Sequence, residues 1–83
     1  MTEREIRNFI NQISPSPGYI LNLTKVELSD LIYDLTGMEL EQYEQNGSSN
    51  AKRLATFLST LKNTSLIDKV TNALLERKEQ QWH

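Results

Sequence analysis

Chemistry in so short a chain has to come from its titratable side chains, and they are few. There is no cysteine, so thiolate nucleophiles, thiolate metal sites and disulfides are excluded together. The single histidine is the final residue, His83. A Ser-His pair would therefore rest on a chain end, and ends usually fray. Carboxylates remain. Asp30 and Asp34 stand four apart with Glu27 just before them, so one helix would carry all three on one face. Two acids at that spacing can hold a hard cation or divide the roles of acid and base. They fall on the polar side of an amphipathic stretch, where nothing desolvates one to tune it. The expectation is a solvated acidic face.

Two other stretches bear on chemistry. Gly47-Ser48-Ser49-Asn50-Ala51-Lys52-Arg53 combines small residues, two cations and a helix start, a combination that can hold a phosphate on free amides. It lacks the second glycine and the preceding strand of a P-loop, so an ordinary capped helix start is favoured. Short helices with Lys52, Arg53, Lys62 and Lys69 also permit a helix-turn-helix nucleic-acid reader. Against that, the 26–51 half of the chain is acidic, whereas a recognition helix normally sits in a basic surface.

The elements that must position these residues read as helices. Ile6, Phe9, Ile10 and Ile13 form one stripe of 3.6-residue period, and Thr2 with Glu5 has the spacing of a capping box. Ser14-Pro15-Ser16-Pro17-Gly18 must break that helix, leaving Tyr19-Ile20-Leu21 to cross the bundle as an extended or short-turn segment. Thr24 and Glu27 form a second capping box, with Leu23 and Leu28 as a hydrophobic staple. Leu28, Leu31, Ile32 and Leu35 give the next stripe, and Gly37 suits a left-handed terminator. Met38, Leu40 and Tyr43 predict a short third helix, followed by a polar loop over 45–50. Ala51, Leu54, Ala55, Leu58 and Leu61, with Phe57 beside them, line a fourth helix. After the break Asn63-Thr64-Ser65, Ser65 with Asp68 is the expected cap of a last helix bearing Leu66, Ile67, Val70, Ala73, Leu74 and Leu75. Trp82 is expected to fold back onto the bundle, or else to pack on something beyond the chain.

These elements make an all-α, compact antiparallel bundle of about five helices, four clear and one short, in a single domain over 1–83. At 83 residues and 9.6 kDa the core is thin and stability modest. No apolar run is long enough to span a membrane, and no signal peptide is visible, so a cytoplasmic setting is the default. No cofactor and no catalysis are expected.

Charge is the most informative feature. Between Val26 and Ala51 there are six acids (Glu27, Asp30, Asp34, Glu39, Glu41, Glu44) and no base. From Lys52 onward six bases face three acids. The net charge runs +1, −6 and +3 along the chain, −2 in all. A bundle divided in this way can dock head to tail on itself or on a similar domain, the acidic face being Glu27, Asp30, Asp34, Glu39, Glu41 and Glu44, and the basic face Lys52, Arg53, Lys62 and Lys69. Charges segregated by chance on solvated faces are the competing explanation.

Two segments also carry a resemblance. Phe9 through Thr24, with Ser14-Pro15-Ser16-Pro17-Gly18-Tyr19-Ile20-Leu21-Asn22-Leu23-Thr24, is similar to small amino-terminal domains of bacterial abortive-infection and related antiphage proteins. So is Gly47-Ser48-Ser49-Asn50-Ala51-Lys52-Arg53-Leu54, followed by the helix end Ala73-Leu74-Leu75-Glu76. The layout from Leu23 to Arg77 resembles bacterial Death-like and effector-associated domains. The Ser-Pro-Ser-Pro-Gly opening departs from most Death-like domains, and effector-associated domains usually sit in longer chains. The resemblance implies a Death-fold-like adaptor that pairs like with like. Such an adaptor brings a sensor, often an ATPase, to an effector such as a protease, nuclease or pore-former, and has no catalytic residue of its own.

Overall fold

A computed structural model describes residues 1–81. Trp82 and His83, and with them the expected packing of the tryptophan, lie outside the described residues. The chain forms α1 (Glu3–Ile13), α2 (Lys25–Thr36), a 3₁₀ turn (Leu40–Tyr43), α3 (Asn50–Thr60) and α4 (Thr64–Gln81). It is a small all-α bundle, and the short third element is a single 3₁₀ turn rather than an α-helix.

Both capping boxes form. Thr2 Oγ1 accepts from the Glu5 amide while the Thr2 amide donates to the Glu5 carboxylate at 2.8 Å, and Thr24 and Glu27 repeat the arrangement. Gly37 ends α2 at φ +74 and donates its amide to Tyr33 O, a conformation in which any Cβ is strained. The expected Ser65–Asp68 cap of α4 does not form. Asn63 takes that place, its Oδ1 accepting from the amides of Ser65 and Leu66 at 3.0 and 3.3 Å. A short amide side chain reaches the first free donors of a helix directly, so α4 starts immediately after it.

The link from α1 to α2 takes the short-turn form of the two expected, as a strap over the bundle. Ser16 to Tyr19 form a hydrogen-bonded turn with Pro17 second and Gly18 third at φ +87, the layout of a type II turn. The Gly18 carbonyl accepts from the Ala51 amide at the start of α3, and the Leu21 amide donates to Ile13 O at 2.8 Å. Leu21 itself is left-handed at φ +50, which costs a branched residue about 1–2 kcal/mol. Complete burial of Ile20 and Leu21 offsets this, each side chain contributing about 2 kcal/mol of transfer free energy.

The core joins Ile6, Phe9 and Ile13 of α1, Leu28 and Ile32 of α2, Leu54, Phe57 and Leu58 of α3, and Val70 and Leu74 of α4, with Leu40 from the 3₁₀ turn. Tyr43 meets Phe57 edge-on at 5.1 Å between ring centres. α1 packs on α3 and α4, and α2 packs on α4 and the 3₁₀ turn.

The caps predict an acid response. Hydrogen bonds from the backbone amides and then the hydroxyls of Thr2 and Thr24 hold the Glu5 and Glu27 carboxyls below their ordinary value of 4.5. A carboxyl depressed in the folded state stabilises fully above the unfolded value, and loses that contribution as pH falls through the folded one. Urea midpoints of the wild type should therefore drop as pH falls below about 4.5, and Glu5→Gln/Glu27→Gln should flatten that drop. Thr24→Ala should cost about 1 kcal/mol at neutral pH in the same titration.

Candidate functional site

α2 carries the expected acidic surface. Its inward side is closed by Leu28 and Ile32, both fully buried, so Glu27, Asp30 and Asp34 at i, i+3 and i+7 are exposed on the other side. They line a shallow cleft of about 230 Å³ with Leu23 and Leu31, and Arg77 reaches its edge from α4. Thr24 is the main influence lowering the Glu27 carboxyl pKa, and the Arg77 charge adds to it.

The other three acids of the 26–51 stretch have separate roles. Glu39 is exposed and precedes the 3₁₀ turn without a side-chain capping bond. Glu41 and Glu44 are turned towards the interior arginine. The Ser29 hydroxyl, more than any other influence, holds the Glu41 carboxyl below its ordinary range, with a smaller contribution from the Arg53 charge. Glu44 lies 3.6 Å from Arg53 Nη1. The run of six acids is thus not one face. Three share the α2 surface, and two attend a buried cation.

That cation corrects the expected basic face. Arg53 is 2% exposed. Its Nη1 donates to Ser29 Oγ at 3.1 Å, and its Nη2 donates to Asn50 Oδ1 at 2.8 Å and to Lys25 O at 3.1 Å. Asn50, also buried, donates from Nδ2 to Leu23 O at 3.0 Å. Arg53 Nε alone has no partner. A docking or phosphate-contacting role for Arg53 is therefore removed, because the guanidinium is enclosed and its other nitrogens are occupied. Sequence reasoning missed this network, although a signal was present. Asn50, Arg53, Leu54, Phe57 and Leu58 fall at i, i+3, i+4, i+7 and i+8, and giving Phe57 full weight turns the stripe onto Arg53.

The remaining cations are exposed but scattered. Lys52 opens α3 and Lys62 follows its end, about 15 Å of helical rise apart, while Lys69 is on α4. These three lysines are therefore not gathered on one recognition helix. The loop before α3 is an ordinary capped start. Ser49 Oγ accepts from the Lys52 amide, and the Ala51 amide is taken by Gly18 O, leaving few donors for an anion. Among the described residues no group of three or more His, Asp or Glu side chains is placed to hold a metal ion, and no helix is long and apolar enough to cross a membrane. Comparison with known protein families, curated proteins and solved structures finds no match to this chain.

The network makes Arg53 the most sensitive polar position. Arg53→Ala should cost about 3 kcal/mol or more, since it leaves Asn50 Oδ1 buried without this donor and empties the enclosed space the guanidinium fills. Glu44→Gln should cost under about 1 kcal/mol, because its carboxylate is long-range and 41% exposed. Thermal melts of the two variants check the contrast.

Proposed function

We propose that this chain is a non-catalytic interaction module that associates like with like, or with a similar small helical domain, through complementary surface charge. The observation that carries this reading is the cluster of exposed acids on α2. Glu27, Asp30 and Asp34 share the outer side of α2, whereas Lys52, Lys62 and Lys69 are exposed on other elements. Unlike surfaces on one molecule favour heterologous contacts, and like-charge repulsion opposes the wrong orientation. The sequence resemblance to Death-like and effector-associated domains supports a role in bacterial antiphage signalling, between a sensor such as an ATPase and an effector. No reaction is assigned to the domain.

Light scattering across concentration tests this reading. The molar mass should rise above 9.6 kDa at low salt and return to it in about 1 M salt, where the Debye length is about 3 Å. Asp30→Lys/Asp34→Lys and Lys52→Glu/Lys69→Glu should each remove the rise, and their mixture should restore it. Arg53 is left intact, because its reversal would unfold the bundle. A monomer at every concentration and salt overturns homotypic assembly.

A further inference from the structure

α2 has a second surface feature beside its acids. Val26 and Tyr33 are 69% and 55% exposed, and among the described residues they are the exposed large apolar groups that lie on an α-helix. Seven residues apart, they fall on one stripe with Asp30 between them. A helix of a lone domain usually keeps its outer side polar, and this stripe lies outside the buried core. On another side of the molecule a groove of about 360 Å³ runs between α1 and α3. Ile6, Ala55 and Met1 supply its apolar walls and Lys52 stands on its rim. Glu3 also borders it, but Glu3 pairs with Arg7 at 3.8 Å and adds little net charge. The groove takes no lining residue from α2, so the stripe and the groove are separate patches.

We propose that the α1–α3 groove of one copy receives the Val26–Tyr33 stripe of the next, with Asp30 facing Lys52. The inference rests on the like-with-like reading above and specifies its two surfaces. Each feature lacks a partner within its own chain, and each offers what the other needs: an apolar projection with an acid at its centre, and an apolar recess with a cation at its edge. The contact is heterologous, so every open assembly keeps one unused surface of each kind at its ends and growth continues until a ring closes. A standard interface takes about 800 Å² from each partner, about 15% of the 5222 Å² this chain exposes. The stripe spans about two helical turns and falls below that size. Association is therefore weak and concentration-dependent.

Two single variants and their mixture provide the test. Tyr33→Glu spoils the stripe but keeps the groove. Lys52→Glu spoils the rim of the groove but keeps the stripe, and circular dichroism verifies that both fold. Each variant alone should stay at 9.6 kDa up to about 1 mM, the range of weak contacts. Mixed in equal amounts, they should reach one junction, about twice the monomer mass, and stop there. If wild type assembles in a salt-sensitive way and both variants assemble like it, these surfaces are wrong while the like-with-like reading stands. If the variants are monomeric and their mixture stays monomeric, the contact is not a heterologous pairing of these two surfaces. If wild type never rises above the monomer, both proposals fall.

Discussion

The bundle depends on one enclosed positive charge. Arg53 sits where the first turns of α2 and α3 meet, donating to Lys25 O and Ser29 of one helix and to Asn50 of the other. A cation at helix N-termini opposes the helix dipoles, which are positive there. It also loses its hydration, at a cost of several kcal/mol unless partners compensate. Its hydrogen bonds to Ser29, Asn50 and Lys25 O supply most of the compensation, and the charges of Glu44 at 3.6 Å and Glu41 add to it. Both come from the 3₁₀ turn and its exit, and the same turn places Leu40 and Tyr43 against the core. An apolar residue at position 53 would need no acids there. The arginine imposes the chemistry of the segment that covers it.

This gives the acidic stretch two physical roles. Glu41 and Glu44 belong to the interior electrostatics, whereas Glu27, Asp30 and Asp34 belong to the surface of α2. Net charge along the chain sums these populations and cannot separate them. The basic side divides likewise, with Arg53 withdrawn and Lys52, Lys62 and Lys69 left outside. The exposed charge on each side is therefore smaller than the raw count suggests, and α2 also exposes the apolar Val26 and Tyr33.

Much of the fold was legible in the sequence because its signals are local. A capping box is decided within four residues, and Thr2–Glu5 and Thr24–Glu27 needed no tertiary knowledge. Gly37 and the Pro17-Gly18 turn were equally plain, since each rests on what one residue's backbone can adopt. The Ser65 cap misled because Asn63 is an equally good cap two residues earlier, and spacing alone does not choose between them. The interior arginine was obscured for a different reason. Its partners on α2 lie 24 and 28 positions away in sequence, so only the folded chain shows that both terminal nitrogens of the guanidinium are matched there. The exposed Val26 and Tyr33 were hidden by a third effect. A helix with a strong inward stripe of leucines draws attention from the apolar residues on its outer side.

The strap between α1 and α2 bears on how copies of this chain can meet. Short hinges beside a terminal helix often permit domain swapping, in which that helix leaves its own bundle and docks in a neighbour's. Here the hinge is stitched down at both ends, by Leu21 to Ile13 and by Gly18 to Ala51, and between them Ile20 and Leu21 are plugged into the core. For α1 to swing away, those side chains would have to leave with it and the cap of α3 would open. Exchange of α1 between copies is thereby disfavoured, and α1 stays with its own core.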